Sequence, residues 1–299
     1  MTRTMLKYGT ILGLFAAGGL LAGCSDDVRG EGGAIQASLA ASPTQLVPTT
    51  LPEPNLEPVD AATAKAAWRD GVALFDNGDY AAASDKLKTA VAGEPQVAYR
   101  RYLLGLALWK AGDRDGAATS LVESTKLDGT RPKAWINLAR VRNELGDRTG
   151  ALEAADRGLA LDAGSADALH QKGRALMELN RGHEALTALQ TARDLDGKNG
   201  YIANTLGLLL IQSGRPADAI EPLEAAKAAL PHIAYVRNNL GVAYERTGKM
   251  DEAKTEYLAA VDAGDAGGKA MKSLVRLGAT DTTKPVDDTV TAAVREPVE

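Results

Sequence analysis

The sequence predicts an all-α fold, an α-solenoid of six tandem helix hairpins followed by a short closing helix. Three series of residues predict it, because each recurs every 34 positions without an insertion. The series are Gly71, Gly105, Ala139, Gly173, Gly207 and Gly241; Ala83, Ala117, Ala151, Ala185, Ala219 and Ala253; and Gly78, Gly112, Gly146, Asn180, Gly214 and Gly248. A fixed period of this length is typical of helical repeat arrays, in which stacked units bury one continuous core.

The first 23 residues have the three zones of a secretory signal peptide: basic residues, an apolar run over 11–21, and two small residues. The run is shorter than the ~20 apolar residues that a membrane-spanning helix needs. The chain's only cysteine follows, and the stretch Leu21-Ala22-Gly23-Cys24 resembles the lipobox of bacterial lipoproteins. The resemblance implies cleavage before Cys24 and acylation of its thiol, which would anchor the mature chain at a membrane surface. The other interpretation is an ordinary signal peptide followed by an incidental cysteine.

The residue after the cysteine bears on localisation within the cell envelope. Ser25 at this position resembles lipoproteins that are sent on to the outer membrane, so we expect a lipid anchor there, with the protein facing the periplasm. Asp26 and Asp27 follow closely and leave retention at the inner membrane open.

Residues 24–60 are predicted to be a disordered linker. The segment is polar and contains Pro43, Pro48, Pro52, Pro54 and Pro58, with no helical or alternating period. Such a composition buries too little apolar surface to offset the entropy lost on ordering, and it favours polyproline II conformations.

Each 34-residue unit is predicted to be two helices joined by a tight turn. In the stretch AYVRNNLGVAYERTGKMDEAKTEYLAAV, apolar residues recur at steps of three and four, which is the pattern of a helix face. Gly248 interrupts the pattern, because glycine tolerates the left-handed conformation that ends a helix, and Asn180 takes this place in the fourth unit. The six units are 64–97, 98–131, 132–165, 166–199, 200–233 and 234–267.

This pattern resembles the tetratricopeptide repeat. The residues at family signature positions are Trp135, Leu138, Pro231, Gly241, Tyr244 and Ala253. Two residues depart from it, since Arg101 and Arg237 stand where the family favours a large apolar side chain. The resemblance covers residues 64–267 and implies a right-handed solenoid that binds protein segments in a concave groove.

Two segments follow the repeats. Residues 268–278 are predicted to form a polar-faced cap helix, with Met271, Leu274 and Val275 on one side and basic residues on the other. Residues 279–299 are predicted to be a disordered tail.

Composition and motifs argue against several functions. The net charge of −5 and the absence of a basic stripe argue against nucleic-acid binding. There is no phosphate-binding loop or nucleophile elbow, and no convergent acid–base pair, so we expect neither an enzyme nor a cofactor or small-molecule substrate. His183-Glu184 begins like a zinc-protease motif, but Thr187 replaces the second histidine, and we expect His183 in the turn between helices and no metal site.

The resemblance places the binding site on the first helix of each unit, at its second, fifth, sixth, ninth, twelfth and thirteenth positions. Aromatic and amphipathic side chains cluster at these positions, a composition typical of interface hot spots. The predicted groove residues are Trp68, Tyr99, Tyr102, Trp109, Lys133, Asn137, Arg140, His170, Arg174, Tyr201, Asn204, Tyr235, Asn238 and Asn239. The asparagines are expected to contact a peptide backbone. The alternative is that the aromatic side chains only fill gaps between repeats.

Lys133, Arg140 and Arg174 lie on consecutive first helices and predict a basic band for an acidic or carboxylate-bearing segment. The alternative is that the two arginines pair with Glu144 and Glu178, each four residues further along the same helix.

The sequence thus predicts a membrane-anchored scaffold that captures a protein segment, and two partner classes stay open. Six such repeats behind a lipobox resemble the pilotin lipoproteins of type IV pili and the repeat lipoproteins of tight-adherence pili, which help secretins assemble. The alternative is an adaptor for peptidoglycan hydrolases or proteases in envelope maintenance.

Overall fold

The computed structural model describes residues 59–265 and 268–278. The predicted signal peptide, Cys24, the linker up to residue 58 and the predicted tail from residue 279 lie outside the described residues. Within the described ranges the chain forms thirteen α-helices and no strand. The helices are α1 (Ala61–Asp76), α2 (Tyr80–Gly93), α3 (Ala98–Lys110), α4 (Arg114–Leu127), α5 (Pro132–Leu145), α6 (Arg148–Leu161), α7 (Ala166–Glu178), α8 (Gly182–Leu195), α9 (Gly200–Gln212), α10 (Pro216–Ala229), α11 (Ala234–Arg246), α12 (Met250–Asp262) and α13 (Lys269–Arg276).

The first twelve helices form six hairpins that stack in chain order. Each odd-numbered helix packs against the helix that follows it, and each even-numbered helix packs against the first helix of the next hairpin. The prediction of an all-α solenoid of helical repeats is therefore confirmed. The first helix begins three residues before the predicted unit, at Ala61, because the carboxylate of Asp60 accepts hydrogen bonds from the backbone N–H groups of Ala62 and Thr63 and caps it.

The turns inside the hairpins follow the predicted series. The glycines that end the first helices have φ between 72° and 92°, in the left-handed region. Asn180, at 59°, is the one non-glycine residue with a positive φ among the described residues. This exchange of asparagine for glycine agrees with the tolerance of asparagine for the left-handed conformation.

Small residues bring the two helices of each hairpin close together. A Cβ added at Gly207 would lie 2.4 Å from Cγ of Leu223, and the equivalent Cβ at Gly173 would lie 2.5 Å from Cγ of Leu189. The six alanines of the second series are all fully buried. The close crossing predicted from these two series is confirmed.

The two arginines that depart from the repeat pattern keep a contact that a tryptophan makes elsewhere. The indole N–H of Trp135 donates to the carbonyl of Gly129, six residues earlier, at 2.9 Å. At the equivalent position Arg101 Nε donates to the carbonyl of Pro95 at 2.8 Å. Arg237 Nε donates likewise to Pro231, at 3.0 Å. The departures therefore preserve a side-chain hydrogen bond to the loop between units.

Two expectations about single elements were wrong. His183 lies in the first turn of α8 and not in the turn before it, because the connection from α7 takes only the three residues 179–181. In α13 the buried residues are Ala270 and Leu274, whereas Val275 is 52% exposed and Met271 is 36% exposed. The buried face is this narrow because α13 packs mainly against the single helix α12.

The close packing of α6 gives a stability prediction. Ala151→Leu places a larger side chain at a fully buried position and should lower the free energy of unfolding by ~1–3 kcal/mol. Because units of a solenoid contact only their neighbours, faster amide hydrogen exchange should appear in units two, three and four, and less in the others. Ala160→Leu, at an exposed position of the same helix, is the matched control. Uniformly unchanged exchange in Ala151→Leu would contradict the close crossing.

Candidate functional site

A cavity of about 690 Å³ lies on the first-helix face of the stack, across α3, α5, α7, α9 and α11. We call it the central cavity. Seven of the predicted groove residues line it: Trp109, Arg140, His170, Arg174, Tyr201, Asn204 and Tyr235. The other seven, which do not line it, are Trp68, Tyr99, Tyr102, Lys133, Asn137, Asn238 and Asn239.

Further side chains complete the lining of the central cavity. They are Asn143, Glu144, Asp167, Gln171, Met177, Glu178, Asn199, Thr205 and Leu208. All except Asn199 occupy the same six positions of the first helix that were used to predict the groove. The signal for them was therefore present: the six positions also indicate Asn143 and Gln171, whereas the acids, Met177, Thr205 and Leu208 were missed because the prediction favoured aromatic, basic and amide side chains.

Neighbouring first helices are linked by hydrogen bonds between residues 35 apart, one repeat plus one residue. Asn137 Nδ2 donates to the hydroxyl of Tyr102 at 3.1 Å. Asn239 Nδ2 donates to Oδ1 of Asn204 at 3.0 Å. These amides thus join adjacent units. They have fewer free donors and acceptors for the backbone of a partner than the sequence suggested.

One buried amide oxygen near the end of this series has no donor partner among the described residues. Asn238 is 9% exposed, and its Oδ1 accepts no hydrogen bond from the described residues. It occupies the fifth position of its unit, where Tyr102, His170 and Asn204 bond to the next unit. The residue 35 positions further is Ser273 in α13, so the break falls where the array ends.

Arg140 and Arg174 have no ion pair with a carboxylate of the described residues. The alternative of pairs within their own helices is not realised. Glu144 accepts from Nε1 of Trp109 at 3.1 Å and pairs with Arg114 at 3.0 Å. The neighbouring unit repeats the ion pair, with Glu178 paired to Arg148 at 3.5 Å.

The two arginines are held by uncharged groups. Arg140 donates to Oδ1 of Asn137 at 3.3 Å, and its guanidinium lies 5.2 Å from the ring centroid of Trp109. Arg174 donates to Oε1 of Gln171 at 3.2 Å. Burial lowers the pKa of the Arg174 guanidinium, and the charge of Arg140 lowers it further, against an opposing effect of Glu144.

The predicted basic band is corrected in part. Lys133 is exposed and does not line the central cavity, and three carboxylates, those of Glu144, Asp167 and Glu178, line it with the two arginines. The cavity wall is thus mixed in charge. Glu144 and Glu178 are paired with arginines outside the lining, so Arg140, Arg174 and Asp167 are the charged lining residues left without an ion pair among the described residues, and two of these three charges are positive.

His170 lines the central cavity and is 7% exposed. Its Nε2 is 2.9 Å from the hydroxyl oxygen of Thr205, and that hydroxyl donates its own proton to the carbonyl of Tyr201 at 2.9 Å. The imidazole therefore carries its hydrogen on Nε2 and donates it to Thr205. Burial lowers the pKa of His170 to about 3, and Arg174 and Arg140 contribute to the lowering, so the ring is neutral near pH 7.

This buried neutral ring makes folding stability sensitive to pH. In the unfolded chain the imidazole regains a pKa near 6.5, so the unfolded state binds the extra proton and stability falls as pH drops through the window from about 6.5 to 3. Between pH 7 and pH 5 the loss should be about 2 kcal/mol. His170→Gln should lack this component in denaturant unfolding at the two pH values. Equal losses in both proteins would contradict the buried neutral state.

A second cluster lies on the same face, at the first two units. The indole of Trp68 meets the ring of Tyr99 edge-on at 5.9 Å between centroids, and Tyr99 stacks on Tyr102 at 6.0 Å. Arg131 lies 5.5 Å from the Tyr99 centroid. We call Trp68, Tyr99 and Tyr102 the aromatic platform. Tyr99 is 45% exposed, so the platform presents a ring to solvent as well as packing between units.

Metal-binding clusters and membrane-spanning helices are both missing from the described ranges. Among residues 59–265 and 268–278, no three histidine, cysteine or acidic side chains are placed to hold a metal ion. In the same ranges no helix has the length and apolar character needed to cross a membrane.

Comparison with known proteins identifies the repeat. A family model described as tetratricopeptide repeat matches residues 69–120, 102–166, 170–232 and 204–268, which together make up more than half of the chain. No curated protein matches the chain.

Solved structures share the fold. A tetratricopeptide repeat protein of Thermus thermophilus is 22% identical with a TM-score of 0.53, over 60% of this chain and 98% of its own. PilF of Pseudomonas aeruginosa is 12% identical with a TM-score of 0.59, over 72% of this chain and 98% of its own. The Cut9–Hcn1 assembly of the APC/C is 17% identical with a TM-score of 0.64, over 72% of this chain and 42% of its own.

Proposed function

The chain belongs to the tetratricopeptide repeat family, and we propose that it is a membrane-anchored scaffold that captures a segment of a partner protein in the central cavity. Proteins of this fold present an extended concave surface for binding. We infer binding rather than catalysis, because aromatic, amide and guanidinium groups of the cavity lining are typical of protein interfaces.

The observation that carries the proposal is the pair Arg140 and Arg174. Each guanidinium is partly buried, lies on a cavity wall and has no carboxylate partner among the described residues. A partly desolvated charge without an ion pair is costly in the free protein, and a carboxylate on a bound segment would relieve that cost. The segment captured is therefore one with an acidic side chain or a terminal carboxylate, flanked by groups that pack on Trp109 and Tyr201.

The anchor and the location belong to the same proposal. Acylation of Cys24 would hold the scaffold at the bacterial envelope, in the outer membrane and facing the periplasm. Within the envelope we propose that the partner belongs to secretin, pilus or secretion machinery. Support comes from the lipobox-like sequence before six repeats. PilF shares the fold, but its sequence identity is low enough that the likeness supports the fold alone.

The test is photo-cross-linking in cells with a reactive residue at Tyr201, whose side chain is 51% exposed at the cavity. Trapped secretin or pilus subunits would support the proposal, whereas trapped peptidoglycan hydrolases or proteases would favour the adaptor in envelope maintenance. A reactive residue at Arg157, on an exposed part of α6 away from the central cavity, is the matched control. Identical adducts from both positions would contradict capture in the cavity.

A further inference from the structure

The aromatic platform has an exposed face that the central cavity does not include. Tyr99 is about half exposed, and Arg131 lies against its ring at 5.5 Å from the centroid. Below it, Tyr102 is fixed by the hydrogen bond from Asn137 and Trp68 by its edge-on contact. The result is a rigid surface of stacked rings, which is the kind of surface that recognises polyproline II segments.

The chain enters the repeats beside this surface. Val59 packs at the C-terminal end of α2, where its carbonyl oxygen lies 3.3 Å from the position of a Cβ built on Gly93. Only four residues separate Gly93 from the start of α3, and Tyr99 lies in the first turn of α3. The described part of the chain therefore begins at the end of the hairpin where Tyr99 is exposed.

We propose that residues 51–58 of this chain dock on the aromatic platform as a polyproline II segment. Their sequence is LPEPNLEP, with a proline at three of eight positions and a leucine three residues from Pro54 on one side and two on the other. Trp68 lies eight residues past the cap residue Asp60, which is about 12 Å along α1. At ~3.1 Å per residue, four or five residues of a polyproline II segment span that distance.

Charge also fits this occupant. The segment carries Glu53 and Glu57 and no basic residue. The surface beside the platform carries Arg131, which also pairs with Asp128 at 2.7 Å, and Lys133 is exposed in the first turn of α5 with no ion pair among the described residues. A short linker raises the local concentration of the segment to about millimolar, so a dissociation constant near 0.3 mM would keep it bound in about three quarters of molecules.

Docking would cover the first units of the groove and leave the central cavity, from Trp109 at the C-terminal end of α3 onward, open to a partner. The inference does not depend on the partner proposed above, because platform and segment belong to one chain. It assigns the platform residues, which do not line the central cavity, to a contact within the molecule.

The test uses the full chain with Trp109→Phe and Trp135→Phe, so that Trp68 is the only tryptophan. Replacing Pro52, Pro54 and Pro58 by glycine should increase acrylamide quenching of Trp68 fluorescence about twofold, since the flexible segment would leave the platform. The matched control replaces Pro43, Pro285 and Pro297 by glycine and should leave quenching unchanged. Equal quenching in the variant and the control would overturn the proposal.

Two further measurements test whether the change in quenching depends on Tyr99 and on the segment itself. Tyr99→Ala removes the exposed ring, and in that background the three glycine substitutions should change quenching no further. A synthetic peptide of residues 48–60 added to the glycine variant should restore protection of Trp68. If the protection of Trp68 in the protein with unsubstituted prolines rises with protein concentration, the occupant is the segment of a second copy, and docking within one chain is overturned.

Discussion

Replacing Cys24 by serine is expected to abolish fatty-acid attachment and to leave the uncleaved precursor in the cell. The thiol is the only one in the chain, and the lipobox-like sequence predicts cleavage directly before it. Without acyl chains the protein loses the hydrophobic anchor that keeps a lipoprotein at the bilayer. Labelling with a fatty-acid probe and the apparent mass on an immunoblot measure both effects in one experiment.

Ser25→Ala is the matched control, because it alters the adjacent residue and keeps the thiol. It should be labelled and processed like the unaltered protein. A Cys24→Ser variant that is still labelled and matures normally would contradict the proposed lipid anchor. It would favour the other interpretation, an ordinary signal peptide followed by an incidental cysteine.

The helical architecture was predictable because the same packing problem recurs every 34 residues. Close crossings need small side chains, as at Gly207 against Leu223, and turns need a residue that tolerates positive φ, as at Asn180. Each requirement leaves a periodic trace in the sequence. The start of the first helix could not be predicted from the period, because it is set by the local cap Asp60 and not by a preceding unit.

The role of Arg101 and Arg237 could not be predicted from the repeat pattern. By residue type they replace an apolar side chain with a charged one. In the structure each arginine donates to the backbone carbonyl six residues before it. Trp135 makes the equivalent hydrogen bond in its own unit. Arginine and tryptophan differ in shape and charge, but both have a side-chain N–H that can donate this hydrogen bond. A repeat pattern written as apolar or charged residues does not contain that information.

The position of the candidate site could be predicted from the sequence, but the hydrogen bonds and ion pairs within it could not. The six first-helix positions account for nearly all of the cavity lining, because helix geometry decides which backbone positions face the groove. Pairing depends on the offset of 35 residues between adjacent helices, which brings Trp109 and not Arg140 to the carboxylate of Glu144. That offset arises from the stacking of whole units, so the sequence alone favoured pairs within one helix.

Arg140→Glu combined with Arg174→Glu is expected to abolish capture of the partner that cross-linking identifies. Removing one partner from a buried charge pair typically costs about 2–5 kcal/mol, and reversing two charges should weaken binding by at least ~30-fold. Capture by the unaltered protein should weaken as salt rises, because ions screen the attraction between guanidinium and carboxylate. Helicity and melting temperature should stay nearly unchanged, since neither arginine takes part in an ion pair of the described residues.

The matched control for these substitutions is Arg157→Glu with Lys198→Glu, which changes the net charge equally at two exposed positions outside the cavity lining. Capture should persist in that control. Arg140→Lys with Arg174→Lys separates charge from shape, because lysine keeps the charge and loses the paired donors of the guanidinium, so binding should be intermediate. Full capture by the folded Arg140→Glu, Arg174→Glu protein would remove both guanidinium groups from the mechanism. Recognition would then rest on the aromatic side chains at the cavity, Trp109 and Tyr201, and alanine at these positions would be the decisive substitution.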